Sequence, residues 1–585
     1  MFQCNFNPTK YGKPLVSTAV GRNGMVSTGH SLATSAGIDI LRKGGNAIDA
    51  GVAAGICINI VQHDLTSFAG VAPIIIYLAD NNKVVSFDGL GRWPRRASVD
   101  YFLEYRNGKF EPGIDYCIVP AAVDSWITSL EKYGTMTFEA IVSYALKYAR
   151  DGFPITYFMN MMIEEDFENF KKWSTNAQIF SPKGRPLKPG ELLIQKDLAN
   201  TLEKMILIEK FSKKSREERL RAVRDYFYKG DISDQMVRFS DNMGGLFTKE
   251  DFTNFKIKEE KPYKVEFQGL TIYGCGPWCQ GPVFLQAISM LKNFNLYDMG
   301  HNSSEYLHTL ISVLDLAFAD RETYYGDPDF VDVPIDELLS DLYNKKRVDV
   351  IESSRAFGKM PQPGNTRLSR GNNNPSKYFF IDDLDKNIEP ELDTSYVCVI
   401  DENGNIFSAT PSDASTKSPI IPGLGLSISS RGRQSRIDHN HPNKIEPLKR
   451  PRLTPSPALV LKNNKPLFAI GTPGADVQPQ AMLQVFLNMV VFHMDPQQAV
   501  ESPRVATYNF PGSFYPNKYY PGTVKVETRI PANVRQDLCN RGHNVVDWGE
   551  WNWKSGGVCV SFFDYDSNVF LGGADPRRSS CALGF

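Results

Sequence analysis

Two apolar, β-branched runs, residues 396–400 and 406–409, flank Asn403-Gly404, and this arrangement constrains the chain more than any other stretch. Asn-Gly supplies the left-handed turn conformations of a tight hairpin, so the spacing predicts two paired, buried strands. Upstream, residues 353–393 form a polar tract containing Arg370-Gly371-Asn372 and a cluster of acids, too poor in apolar residues to bury itself. The tract ends at Asp393, which places Thr394 at the first residue of the buried strand. A chain cut before Thr394 would carry a free amine beside its own hydroxyl, the threonine form of an activated nucleophile.

The 585 residues, 42% apolar and 22% charged with a net charge of −1, describe a globular protein with no basic footprint for nucleic acid. The N-terminus lacks a basic then apolar leader pattern, and no run reaches the roughly 18 apolar residues of a membrane span. The sequence therefore predicts a cytoplasmic protein that binds neither membrane nor nucleic acid. Its nine scattered cysteines, several inside apolar runs, read as buried free thiols.

Other motifs argue against cofactor or metal chemistry. Cys275 and Cys279 are separated by three residues where a thioredoxin-type redox pair has two. His439 and His441 lack a matching set of Cys or acidic ligands and read as a solvated loop. Residues 210–224 mix Glu217 and Glu218 with bases and read as a wet helix face. No glycine-rich loop ends in Gly-Lys-Ser/Thr, so no nucleotide-phosphate site is predicted.

Helical spacing covers residues 31–41, resumes at Asn46 as a helix apolar all round, and recurs at 138–150 behind a Thr137 cap, then at 155–172, 197–224 and 302–325. Hairpins are predicted at 72–87, 458–470 and 558–571, with a helix over 479–492. Antiparallel sheets covered by helices, an α+β fold, are the expectation. Gly471 to Asp476 follows a strand and precedes a helix, which would aim loop amides outward together and offer an oxyanion loop.

Four ordered motifs carry a family resemblance: 25–50 with Gly44-Gly45-Asn46-Ala47; 318–331 with Ala319-Asp320-Arg321; Thr394-Ser395-Tyr396 with 399–405; and Gly573-Ala574-Asp575-Pro576-Arg577-Arg578. Over nearly its whole length the chain resembles the γ-glutamyltranspeptidase family of N-terminal-nucleophile hydrolases. The resemblance implies a four-layer αββα sandwich and self-cleavage between Asp393 and Thr394. It also implies a large chain of 1–393 intertwined with a small chain of 394–585, and two such processed pairs could associate. Thr394 matches the nucleophile, Ser395 the neighbouring hydroxyl, Thr410 and Ser412 the hydroxyl-bearing strand that steadies it, and Gly474-Ala475 the oxyanion Gly-Gly pair. Ala475 is expected to cost little, since its backbone N–H remains.

Substrate positions depart from the family. The Arg that takes a glutamyl α-carboxylate falls on Leu90, the downstream Asn near Ala414, the Asp for the α-ammonium near Gln434, and the paired serines on Leu453 and Thr454. Arg431 stands in the pocket loop as a candidate for gripping a carboxylate. The resulting expectation is a cofactor-free threonine amidohydrolase for small carboxylate-bearing amides, of the oxamate or dicarboxylic monoamide kind. The competing expectations are a γ-glutamyltransferase with a rebuilt grip and an uncleaved, non-catalytic relative.

Overall fold

The computed structural model describes Phe6, residues 13–370 and residues 393–585. Two seven-stranded sheets, each antiparallel throughout, form its centre. In the first, Val397–Asp401 lies between Gly24–Thr28 and Ile406–Ala409, followed by Ile74–Leu78, Lys83–Phe87 and Glu259–Glu260, with Cys581–Gly584 on the opposite edge. The second runs Ala19–Gly21, Val569–Ala574, Cys559–Asp564, Lys465–Gly471, Ala458–Lys462, Leu270–Gly274, Tyr263–Phe267.

Alternation along the strands explains why both faces are apolar. Cys398 and Ile400 point into the layer between the sheets with Tyr77, Leu459 and Ala469. Val397 and Val399 face the helices Ser31–Arg42 and Ala47–Val61. On the far side Val460, Phe468 and Ile470 pack against helices Gly281–Leu291, Ser304–Tyr324 and Gln478–Val490. The layers are helix, sheet, sheet, helix, as the family resemblance implies. Every residue of Ala47–Val61 is buried, and a Cβ on Gly51 would lie 2.1 Å from the Phe407 ring. The glycine lets this helix sit directly on the hairpin.

Several local readings need correction. Residues 197–224 form two helices, Lys196–Phe211 and Arg216–Lys229, because Ser215 and Glu218 build a capping box. The wet face is only partly wet: Arg224 grips buried Asp124, and Arg216 donates to the carbonyls of Leu130 and Met136. The first part of the polar tract is pinned both by Phe357, Met360 and Leu368, which pack partly buried against the core, and by backbone N–H bonds. Ala356 N–H donates to Arg541, Met360 N–H to Tyr519 Oη, and Gly364 N–H to Asp320. The remainder, 371–392, lies outside the described residues, as does Cys4. Among the other cysteines, Cys539 is exposed and Cys581 half-buried, while the remaining six are buried free thiols.

Candidate active site

Thr394 is set by the strand that follows it. Val397 pairs with Thr28 and with Ala409, Ser395 N–H donates to Pro411, and Gly29 N–H donates to Tyr396, so the start of the strand is held from both sides. Thr394 is buried, and its hydroxyl donates back to the Asp393 carbonyl while lying 2.7 Å from Ser412 Oγ. That carbonyl also accepts from Ser412 Oγ at 3.1 Å and from Arg431 Nη2 at 3.2 Å. A hydroxyl thus faces a peptide carbonyl whose oxygen is held by a second hydroxyl and a cation.

Arg431 is fully buried. It ion-pairs with the Asp393 carboxylate, touches Ser412 Oγ, lies 3.4 Å from Asp413 Oδ1, and sits 5.2 Å above the Phe514 ring. The other oxygen of Asp393 accepts the Ala414 N–H at 3.1 Å. Asp413 adopts φ of 108° and accepts from Ser429 Oγ at 2.7 Å and Ser430 N–H at 3.0 Å. Burial pushes its carboxyl up to about 6, against the pull of Arg431 and with some help from Asp393.

Gly474 and Ala475 follow strand Lys465–Gly471 and lead into helix Gln478–Val490. They line a cavity of about 260 Å³ with Asp476, Ser513, Phe514 and Tyr515. Phe514 therefore connects this cavity to Arg431. Ala475 has φ of 49°, a left-handed conformation that costs an L-residue roughly 1 kcal/mol relative to glycine. The substitution is more costly than the sequence suggests. Asp476, next in the chain, is tied to Arg321 at 2.6 Å and to Ser513.

Not every expected site residue converges here. Gln434 and Thr454 are brought together but use their polar groups on each other, Nε2 to Oγ1 at 3.1 Å and Thr454 N–H to Oε1 at 2.9 Å. Leu90 is buried in an apolar cluster with Trp93 and Tyr116. The Thr410 N–H donates to Pro73, and its hydroxyl, like that of Ser395, makes no hydrogen bond among the described residues. His441, read as solvated, is buried 3.2 Å from Glu322 Oε1, which also pairs with Arg436; only His439 is exposed. Cys275 and Cys279 are buried free thiols. Among the described residues no cluster of His, Cys, Asp or Glu is arranged to hold a metal, and no helix is long and apolar enough to cross a membrane.

Sequence reasoning missed Asp413, whose only signal is its place directly after Ser412. It quoted Arg578 only within the C-terminal motif and missed its place here, as a buried cation interacting with both Asp64 and Asp393.

The profile of the gamma-glutamyltranspeptidase family matches residues 33–585. The chain belongs to this family. It is 30% identical over 572 residues to the glutathione hydrolase-like YwrD proenzyme of Bacillus subtilis (strain 168), covering 97% of this chain and 99% of that protein. The solved structure of LmbA2991HD matches with a TM-score of 0.91 at 30% identity, covering 98% of this chain and 100% of that one. Cephalosporin acylase from Bacillus halodurans matches with a TM-score of 0.83 at 26% identity, covering 99% of each. Family membership makes the molecule an enzyme of the N-terminal-nucleophile amidohydrolase type and its four layers the family's α+β sandwich. The reading as a non-catalytic relative is not retained.

Proposed function

We propose that the chain is a proenzyme whose Thr394 first cleaves the Asp393–Thr394 bond and then hydrolyses amides of a carboxylate-bearing acyl group. The observation that carries this reading is the contact between the Thr394 hydroxyl and the Asp393 carbonyl, with Ser412 and Arg431 on the carbonyl oxygen. After cleavage the Thr394 amine accepts the hydroxyl proton, Oγ attacks the substrate carbonyl, and the amides of Gly474 and Ala475 hold the oxyanion. The amine leaves with the proton, and water releases the acid from the ester. Arg431 holds the acyl group's carboxylate in the place of the Asp393 carboxylate, with which it ion-pairs in the uncut chain. No cofactor is required.

A second reading, a γ-glutamyl hydrolase acting on glutathione-like amides, is favoured by Asp413. This buried carboxylate beside Arg431 offers the anion that an α-ammonium needs. Turnover of a γ-glutamyl anilide far above its glutaryl counterpart would select that reading. The primary test is intact mass of purified protein: wild type should appear as two pieces and Thr394→Ala as one chain. A Thr394→Ala protein that still splits into the same two pieces would overturn the proposal.

A further inference from the structure

We infer that Asp393 is seated as the enzyme's first acyl group, and that its geometry sets the preferred substrate as a monoamide of a four-carbon, succinyl-type diacid. The inference rests on the Thr394 reading above and adds a length to it.

Within Asp393 two carbons, Cα and Cβ, separate the scissile carbonyl from the side-chain carboxylate. Both ends are held at once. The carbonyl oxygen takes Ser412 Oγ and Arg431 Nη2, and the carboxylate takes Arg431 on one oxygen and the Ala414 N–H on the other. Arg431 has little freedom to follow a different ligand. It is fully buried, flanked by Asp413 and stacked on Phe514, and Asp413 is itself tied to Ser429 and Ser430. The span from Thr394 Oγ1 to the carboxylate grip is therefore a fixed ruler.

The same oxygen bonds the acyl carbon in both reactions, so the ruler runs from Thr394 Oγ1 to the Arg431 grip whichever donors hold the carbonyl oxygen, Ser412 and Arg431 for Asp393 or the Gly474 and Ala475 amides for substrate. In self-cleavage Oγ adds to the Asp393 carbonyl, the C–N bond breaks with the hydroxyl proton passing to the Thr394 nitrogen, and water hydrolyses the ester to leave Asp393 as a terminal acid. With a succinyl amide, Oγ adds to its carbonyl, the amine departs with the proton, and water returns succinate and the free hydroxyl. A malonyl or oxamyl group is too short to reach the grip with its carboxylate. A glutaryl or γ-glutamyl group carries three carbons between its two functions and must buckle one methylene to span the same two ends.

The test is a set of half-anilides, malonyl, succinyl, glutaryl and γ-glutamyl, assayed with processed wild-type enzyme. Succinyl should exceed the others in kcat/KM by on the order of ten-fold, the worth of one charge-assisted contact. In parallel, Asp393→Glu inserts one carbon between the same two groups and should slow chain splitting by a similar factor on a denaturing gel. Preference for another acyl length, equal rates across the set, or wild-type splitting of Asp393→Glu overturns the inference while leaving the Thr394 amidase standing. An unbroken wild-type chain with no turnover of any anilide overturns both.

Discussion

At the residue scale, the site is a balance of buried charges: one guanidinium, Arg431, between two carboxylates, Asp393 and Asp413. Release of the segment ending at Asp393 would leave the guanidinium beside Asp413 with the place of the Asp393 carboxylate vacated, the place proposed for a substrate carboxylate. Asp413 reports this balance through pH. Its folded-state pKa is raised from 3.8 to about 6, so its contribution to stability is full below 3.8 and is lost as pH rises toward about 6. Asp413→Asn keeps one acceptor oxygen, enough for the Ser430 N–H, and does not ionise. Melting temperatures of Asp413→Asn and the wild type should therefore diverge between pH 4 and 6 and run parallel above that; a difference constant across the range would contradict it. Of these residues, Arg431 was legible through the family resemblance, because its loop falls where the family's pocket loop lies. Asp413 was not, because what makes it important is burial against a side chain 18 positions away.

At the element scale, helix Ala47–Val61 shows how the nucleophile strand is kept in register. The Cβ space at Gly51 is filled by Phe407 of the paired strand, so Gly51→Ala should overpack the contact and destabilise the protein by about 1–3 kcal/mol in urea unfolding. A neutral result would mean that the helix can slide on the hairpin. The hairpin was readable because Asn403-Gly404 names its turn. The hairpin Tyr263–Phe267 with Leu270–Gly274 was not, since Gln268 takes the left-handed position, φ of 48°, that Asn or Asp usually fills. Distance in sequence explains the other misreading: His441 looked solvated because its partner Glu322 is more than a hundred residues upstream. Local pattern reports periodicity and turns, whereas long-range polar pairing leaves no local trace.

At the scale of the whole molecule, the two sheets are woven from both sides of residue 393. In the first, Gly24–Thr28 lies between Cys581–Gly584 and Val397–Asp401; in the second, Leu270–Gly274 borders Ala458–Lys462. A cut there leaves neither piece with a complete sheet, since each supplies strands that pair only with the other's. Folding of the uncut chain is a unimolecular search, while refolding of the cut pair requires two chains to find one another with unpaired edges exposed. Unfolded Thr394→Ala protein should accordingly recover its circular dichroism on dilution from urea to a much greater extent than the processed wild type, and equal recovery would count against interdependence of the pieces. The weave makes cleavage a one-way step in the molecule's history: once cut, the enzyme persists through the height of its unfolding barrier and not through a reversible equilibrium.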